Sequence, residues 1–339
     1  MKLGTLRNGG RDGTLVVVSS DLRRQIRVGE IAPTLQAVLD DWDRLAPQLE
    51  AVSARLNSGA GASEPFDIYA MVAPLPRAYQ WIDGSAYMNH AELVRKSLGT
   101  NLSPTLWTDA LVYQGGSDTM LGPRDAIAFE SEDWGIDFEA ELAVITDDVP
   151  MGCSAEAAKS HIRLMMLAND ISLRALIPAE MSKSLGYFQS KPSTAFSPVA
   201  VTPDELGPAW NGQRLSLPML SFINDVPFGR PNTGVDLNFD FPTLIAHVVK
   251  TRRLSTGTII GSGTVSNRQG TGPETSIAKG GMGYSSLAEL RAIETLTHGM
   301  PKTSYLRFGD RLRIDMLNAS GDTIFGSLEQ TVEPFLPPE

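Results

Sequence analysis

The segment 137–145 reads DFEAELAVI and places a carboxylate at every second position of an otherwise apolar run. Alternate residues of a β-strand project to the same face, so Asp137, Glu139 and Glu141 are predicted to share one side of a strand. A half-exposed strand with a solvated acidic face fits this pattern. A site for a hard metal ion fits it too, because crowded carboxylates repel one another unless water or a cation screens them. The segment alone leaves both interpretations open.

Another acid interrupts a second apolar run, because the segment ANDIS places Asp170 in a strand-like stretch that Asn and Asp disfavour. An ionised carboxylate buried alone is so costly that it persists only when it is paired or bound to a metal. Same-face strand positions lie about 6.6 Å apart, close enough for two Glu side chains to reach one cation. We therefore predict a site for Mg²⁺, with Mn²⁺ or Ca²⁺ as alternatives, whose four ligands are Asp83, Glu139, Glu141 and Asp170.

The sequence contains only four histidines, which argues against a His-rich transition-metal site. His90 is the candidate for chemistry, because it follows Asp83 by seven residues in the polar, glycine-containing segment WIDGSAYMNHAELV. The other histidines lie in helical patterns or in a turn, where packing or surface roles are expected. Cys153 has no histidine nearby in sequence, so thiolate chemistry is not expected there.

Composition limits the classes of partner. The chain has 339 residues and a net charge of −10, which argues against nucleic acid and anionic membranes as partners. No apolar run reaches 18 residues and no signal-peptide core is present, so neither a membrane span nor secretion is predicted. A single cysteine fits a reducing compartment. We expect a cytoplasmic protein.

The elements that must position these residues fall into two parts. The first 18 residues predict a β-hairpin, the apolar spacing from Leu35 predicts two short helices broken at Pro47, and small residues over 57–65 predict a linker. From Tyr69 onward short strand-like runs dominate, with helical patterns at SAEAAKSHIRLMM and FPTLIAHVVKT. We predict an α+β, mostly β fold, with a small N-terminal α+β domain and linker over 1–65 and a larger domain over 66–339.

Several separated motifs resemble the fumarylacetoacetate hydrolase family over about residues 69–334. In chain order the matching motifs are an Asp with His-Ala seven residues on at Asp83 and His90, VYQGGS at Tyr113, E-x-E at Glu139 and Glu141, NDISLR at Asp170 and Arg174, SKPSTAFSP at Lys191, SGTVS at Thr264 and SSLAEL at Glu289. The resemblance implies that residues 66–339 form a catalytic domain of the mixed β-roll or β-sandwich type.

The resemblance also implies roles. His90 would remove a proton from water, Glu289 would orient its imidazole, and Lys191 would stabilise charge that develops on oxygen, together with Thr264. The residues implied in substrate binding are Tyr113, Arg174, Thr264 and Arg95. Arg95 is included because Gly99 stands where the family carries an arginine.

Two positions depart from the tyrosine-catabolic members of the family, because Ile177 and Met181 stand where those enzymes carry a glutamine and a tyrosine. The expected activity is therefore metal-dependent hydrolysis of a carbon–carbon bond in a β-diketo acid, of the fumarylacetoacetate or acylpyruvate type, in aromatic catabolism. A homodimer is expected from the same resemblance. Two alternatives are a 2-oxo acid decarboxylase or hydratase/isomerase of the same superfamily and a non-catalytic metal-binding protein.

Overall fold

The computed structural model describes residues 1–8, 10–270 and 272–336. Its α-helices are Leu35–Leu39 (α1), Trp42–Asn57 (α2), Met88–Ser97 (α3), Ala155–Ala158 (α4), Ile177–Met181 (α5), Phe241–Val248 (α6) and Leu287–His298 (α7). Its strands are Lys2–Leu6 (β1), Thr14–Val18 (β2), Arg24–Arg27 (β3), Glu64–Pro65 (β4), Met71–Val72 (β5), Trp81–Gly84 (β6), Val112–Gly115 (β7), Ile127–Phe129 (β8), Ile136–Asp137 (β9), Ala140–Thr146 (β10), Ile162–Asn169 (β11), Ser172–Leu173 (β12), Ala195–Phe196 (β13), Val199–Val201 (β14), Leu220–Ile223 (β15), Val226–Gly229 (β16), Thr258–Gly261 (β17), Arg311–Asp315 (β18) and Leu328–Pro334 (β19). The predicted α+β class is confirmed.

One 12-stranded sheet forms the centre of the molecule. Its main path runs β4-β3-β2-β1-β14-β11-β10-β17-β6-β7, and β17 pairs with β6 in parallel, whereas β10 pairs with both β11 and β17 in antiparallel fashion. A five-stranded sheet, β16-β15-β18-β19-β8, is separate from it, and β12 pairs with β9 alone. The mixed sheet architecture agrees with the β-roll type of fold that the family resemblance implies.

Both faces of the central sheet are buried, as the side chains of β10 illustrate. Leu142 and Val144 belong to a core cluster that also contains residues of the five-stranded sheet. Ala143 and Ile145, on the opposite face, belong to a second cluster that contains residues of α1 and α2. Because alternate residues face opposite sides, an uninterrupted apolar run is the pattern expected of such a strand. Among the described residues, no helix is long and apolar enough to cross a membrane.

The predicted N-terminal hairpin is confirmed, because β1 and β2 pair in antiparallel fashion. On its other edge β1 pairs with β14, so these first strands belong to the central sheet. The predicted helix break at Pro47 is wrong: α2 runs from Trp42 to Asn57 through this proline, and the break lies at Asp40 and Asp41. The apolar face of α2 is buried against the sheet, and this tertiary packing outweighs the backbone hydrogen bond that the proline removes. The domain boundary at residue 65 stays a prediction.

The second correction concerns the pattern SAEAAKSHIRLMM. Its helix α4 ends at Ala158, a short 3₁₀ turn follows to His161, and Ile162 begins β11. The chain becomes extended there because β11 pairs with β10 and buries seven of its eight residues. Pairing with a neighbouring strand thus overrides the local helical spacing.

Three adjacent strands bring distant parts of the sequence together at the centre of the sheet. Asp83 of β6 lies opposite Gly261 of β17, and Gly261 lies opposite Ala143 of β10. A Cβ atom at position 261 would collide with the carboxylate of Asp83 and the ring of Trp81. A glycine in the middle strand therefore leaves the space into which the side chain of Asp83 extends.

Gly261→Ala tests this close approach. We expect the added methyl group to displace the carboxylate of Asp83 and to lower the free energy of unfolding by about 1–3 kcal/mol, the usual cost of overpacking a core. Urea denaturation measures the change. Gly29→Ala is the control, because a Cβ atom there meets no other atom within 4 Å. Equal stability of the two variants would contradict the packing argument.

Candidate metal and catalytic site

Four carboxylates meet at the centre of the sheet. They come from β6 (Asp83), from the segment between β9 and β10 (Glu139), from β10 (Glu141) and from the residue after β11 (Asp170). One oxygen from each lies within 4.8 Å of the others. The exposed fractions of these four residues are 6%, 5%, 0% and 0%. The alternative of a solvated acidic face is therefore wrong, and the geometry suits a group of oxygen ligands around one cation.

The acidic segment is not one continuous strand. β9 ends at Asp137 and β10 begins at Ala140, so Glu139 lies in an irregular link between them. Asp137 is fully buried, and its carboxylate accepts hydrogen bonds from the backbone N–H groups of Leu287 (2.8 Å) and Ala288 (3.0 Å) at the start of α7. Asp137 is therefore a structural carboxylate that is not in contact with solvent. A carboxylate at a helix N-terminus also interacts favourably with the helix dipole.

Two cations neutralise part of the cluster. Arg174 bridges Asp137 (2.9 Å) and Glu139 (2.6 Å), and the ammonium of Lys191 bridges Glu139 (2.8 Å) and Asp170 (2.6 Å). Burial raises the pKa of Glu139, but the interactions with Lys191, Arg174 and His90 together lower it by more. The pKa of Glu139 therefore lies well below its usual range. Arg174 was implied as a substrate contact. Because its Nε–H and Nη2–H groups already donate to these two carboxylates, a positioning role suits it better.

The other side of the cluster has no such compensation. Both oxygens of Glu141 are buried and form no hydrogen bond with any described residue. Burial, followed by the negative charges of Asp83 and Asp170, raises the pKa of Glu141 well above its usual value. Burial and the charge of Asp170 do the same to the pKa of Asp83. Buried carboxylate oxygens without donors are what a divalent cation would satisfy, so these four residues fit a bound ion.

His90 lies between this cluster and Glu289. Its Nε2 is 3.8 Å from Oε1 of Glu139, and its Nδ1 is 3.3 Å from Oε1 of Glu289. Neither Nδ1 nor this glutamate oxygen has a hydrogen-bond partner among the described residues, so a small rotation of the ring would join them. Both residues lie in the first turns of neighbouring helices, α3 and α7, and Ser286 caps α7 through the N–H of Glu289. His90 and Glu289, which the family resemblance paired, are therefore adjacent.

A cavity of about 450 Å³ opens onto the cluster. Asp83, Glu139 and His90 line its inner end, and the other predicted site residues that line it are Tyr113, Arg174, Lys191, Thr264 and Arg95. The structure thus brings every predicted site residue to this cavity or to the carboxylates and glutamate beside it; the role of each stays a prediction. Arg174 also lines a second cavity of about 490 Å³, bounded by residues 132–135 and 304–307. The carboxylate cluster and His90 make the first cavity the candidate site.

Hydrogen bonds hold Asp170 in place. Its carboxylate accepts from the hydroxyl groups of Tyr113 (2.7 Å) and Thr194 (2.8 Å) in addition to the ammonium of Lys191. Burial and the charge of Asp170 raise the pKa of Tyr113 well above its usual value, so the phenol stays protonated and can donate. The ring of Tyr187 packs edge-on against Tyr113 at 5.7 Å between centroids, which extends this wall of the cavity.

Sequence reasoning missed one structural carboxylate, Glu180 of α5. It accepts hydrogen bonds from the backbone N–H groups of Phe188, Gln189 and Ser190 and from the Ser190 hydroxyl. Burial opposes ionisation, but these bonds outweigh it and lower the pKa of Glu180 to about 2. The segment that Glu180 folds back carries Tyr187 and leads directly into Lys191. No motif signals this role, because the partners are the backbone of a loop.

The protein has a mixed α+β fold, and four buried carboxylates lie at the inner end of a ligand-sized cavity. These features define a class of protein with a candidate divalent-cation site beside a histidine–glutamate pair. The chain belongs to the fumarylacetoacetate hydrolase family. The model of the fumarylacetoacetate hydrolase C-terminal region matches residues 80–333, and that of fumarylacetoacetase N-terminal domain 2 matches residues 1–77. Members of this superfamily are enzymes that act on small molecules, among them hydrolases and isomerases. A search of curated protein sequences gives no significant match.

Solved structures share the fold over the whole chain. Maleylpyruvate hydrolase from Sphingobium sp. SYK-6 has a TM-score of 0.65 at 17% identity, covering 99% of this chain and 100% of that one, and was also solved with manganese(II) and pyruvate. 5-Carboxymethyl-2-hydroxymuconate delta-isomerase from Mycobacterium smegmatis has a TM-score of 0.60 at 16% identity, with coverage of 99% and 100%. Fumarylacetoacetate hydrolase from Exiguobacterium antarcticum has a TM-score of 0.63 at 18% identity, with the same coverage.

Addition of a divalent cation tests the carboxylate cluster. After EDTA treatment, Mg²⁺ or Mn²⁺ is expected to raise the melting temperature, because an ion at 100 times its Kd stabilises the folded state by about 2.7 kcal/mol. Glu141→Gln removes a buried carboxyl group whose ionisation its neighbours oppose, so we expect a melting temperature no lower than that of the wild type without the ion. The dissociation constant of the ion should rise at least about tenfold, because one ligand is weakened. Glu50→Gln, on the exposed side of α2, is the control. An unchanged response of Glu141→Gln would remove Glu141 from the ligand set.

Glu180→Gln tests the organisation of the loop. Because hydrogen bonds to a carboxylate are stronger than those to an amide, the backbone amides of residues 188–190 should exchange hydrogen about tenfold faster in the variant. The lowered pKa means that this protection is complete above pH 4.5 and is lost as the pH falls toward 2. The variant should lack that dependence on pH. Glu156→Gln, which alters a surface ion pair with Lys159, is the control. Equal exchange in wild type and Glu180→Gln would refute the role.

Proposed function

We propose that this protein is a divalent-cation-dependent hydrolase that cleaves the carbon–carbon bond of an acylpyruvate-type β-diketo acid. The observation that carries the proposal is the position of His90, whose Nε2 lies 3.8 Å from Glu139 while its Nδ1 lies 3.3 Å from Glu289. This arrangement places a base between a carboxylate cluster that fits a cation and a carboxylate that can orient the base. It supports activation of water at the inner end of the cavity.

Asp83, Glu139, Glu141 and Asp170 would hold the cation, which supplies Lewis acidity toward the oxygens of the 2-oxo acid. Glu289 would accept the Nδ1–H of His90, which leaves Nε2 free to take a proton from water. Water adds to the acyl carbonyl, the bond between that carbon and the methylene carbon breaks, and the methylene carbon takes up a proton. The products are the carboxylic acid of the acyl group and pyruvate, so the reaction consumes one water.

Lys191 and Thr264 complete the proposed machinery. The ammonium of Lys191 already donates to Glu139, Asp170 and Ser172, so it acts as a fixed positive charge and not as the base. Thr264 is buried on the cavity wall and offers a hydroxyl toward the substrate oxygens. A fixed positive charge and a preorganised hydroxyl donor both stabilise negative charge that develops in the transition state. Arg174 would act through Glu139, whose carboxylate it holds.

Mg²⁺ as the ion, a homodimer and a cytoplasmic location belong to the same proposal. Oxygen-only ligands suit Mg²⁺ and also Mn²⁺ or Ca²⁺. Isomerisation is the second candidate reaction, favoured by the fold shared with 5-carboxymethyl-2-hydroxymuconate delta-isomerase. The two reactions differ in their products, because isomerisation keeps the carbon skeleton whole, hydrolysis releases pyruvate and decarboxylation releases carbon dioxide.

His90→Ala tests the role of the histidine. With acylpyruvates as substrates and Mg²⁺ or Mn²⁺ restored after EDTA treatment, kcat should fall about 10²- to 10⁴-fold, the usual contribution of a general base. The rise in melting temperature on addition of the ion should persist, since His90 is not a predicted ligand. His298→Ala, at the exposed end of α7, serves as the control. Wild-type turnover in His90→Ala would refute the mechanism. Absence of pyruvate release by the wild-type protein from every acylpyruvate would refute the proposed reaction.

A further inference from the structure

The cavity has two chemically different ends. The inner end carries the carboxylates, His90 and Lys191. The outer wall is formed by aliphatic side chains from α3, from the segment between α3 and β7, which contains a 3₁₀ turn at Pro104–Trp107, and from α5. These side chains are Val94, Leu102, Leu106, Leu111, Ile177 and Met181. A substrate bound through its 2-oxo acid end would therefore extend its other end along a hydrocarbon surface.

Of the three arginine and lysine side chains that line the cavity, two are already paired. Arg174 and Lys191 each bridge two carboxylates at the inner end. Arg95 lies on an exposed part of α3 and forms no ion pair with any described residue. Because Arg95 is exposed to solvent, an ion pair with it would stabilise a second carboxylate of the substrate only slightly. Such a carboxylate would also lie against aliphatic side chains and lose part of its hydration. Burial of an unpaired carboxylate is strongly unfavourable.

Two wall residues are also unusually exposed for their type. Leu111 is 50% exposed and Met181 is 46% exposed. They lie at the outer end of the cavity, so an apolar group that occupies it would cover them. Removal of this apolar surface from water favours binding of a hydrocarbon in proportion to the area covered. The same positions offer nothing to a charged group.

We propose that the acyl group of the substrate is a hydrocarbon chain that ends without a second carboxylate. This inference rests on the proposed function for the identity of the inner group and specifies the outer one. It assigns Ile177 and Met181 as residues that select for an apolar chain. A dicarboxylate of the same length should bind less well, because its distal charge meets the aliphatic wall.

A series of substrates tests the proposal with the wild-type protein and its restored cation. The value of kcat/KM should rise about three- to fourfold for each added methylene group from acetylpyruvate through butanoylpyruvate to hexanoylpyruvate, as expected for hydrocarbon burial. Pentanoylpyruvate should exceed succinylpyruvate, its dicarboxylate analogue of similar length, by at least about tenfold. Equal or faster cleavage of succinylpyruvate would overturn the proposal, as would a flat series.

Ile177→Gln places a polar group in the wall. We expect kcat/KM to fall about tenfold more for hexanoylpyruvate than for acetylpyruvate, because the proposal places residue 177 against the part of the chain that acetylpyruvate lacks. Val226→Gln, which changes an exposed residue of β16 outside the cavity, should keep the wild-type ratio of the two substrates. An unchanged ratio in Ile177→Gln would overturn the assignment of this residue.

A binding measurement separates this inference from the proposed reaction. In the presence of Mn²⁺, 2-oxooctanoate should raise the melting temperature at a lower concentration than 2-oxosuberate, the dicarboxylate with the same number of carbons. This result requires no turnover. A preference for 2-oxooctanoate without release of pyruvate from any acylpyruvate would uphold the apolar wall and refute the hydrolase. Tighter binding of 2-oxosuberate would refute the apolar wall, whatever the reaction.

Discussion

The bridge that Arg174 and Lys191 make between three buried carboxylates is the interaction on which the site depends. Arg174 joins Asp137 to Glu139, and Lys191 joins Glu139 to Asp170. Removal of one member of such a buried set leaves an uncompensated charge, which typically costs about 3–5 kcal/mol. Asp137 in turn binds the backbone at the start of α7, the helix that carries Glu289. The ion-pair chain therefore fixes both the carboxylate cluster and the partner of the histidine.

The same chain of ion pairs explains why the two sides of the carboxylate cluster differ in their charge compensation. Its two cations contact Asp137, Glu139 and Asp170 but leave the oxygens of Glu141 without donors. Within the described residues, Glu141 and Asp83 are thus the members of the cluster that no arginine or lysine contacts. A divalent cation bound there would complete the charge balance that the protein leaves unfinished. Arg174 and Lys191 can therefore stabilise one part of the cluster while the oxygens of Glu141 stay free to bind an ion.

The sequence predicted which residues gather at the candidate site, because strand periodicity and motif order restrict where such residues can go. The buried acids at Glu141 and Asp170 stood out against apolar strands, and the resemblance ordered the rest. Three features could not be read in this way. The link of Asp137 to α7 joins residues 150 positions apart. Packing of α2 against the sheet allows the helix to continue through Pro47. The role of Glu180 depends on backbone N–H groups that donate to it. Each depends on tertiary contacts that leave no periodic pattern.

The position of α5 joins the ionic and apolar ends of the cavity in one short stretch of chain. Arg174 precedes this helix and binds the carboxylates, whereas Ile177 and Met181 lie on it and face the outer cavity. Glu180, on the same helix, folds the following segment back toward Lys191. A change of outer-wall residue can therefore alter the acyl group that fits without moving the ion-pair chain. Because the wall and the charges depend on different side chains, this fold can keep one inner chemistry while its substrate changes at the other end.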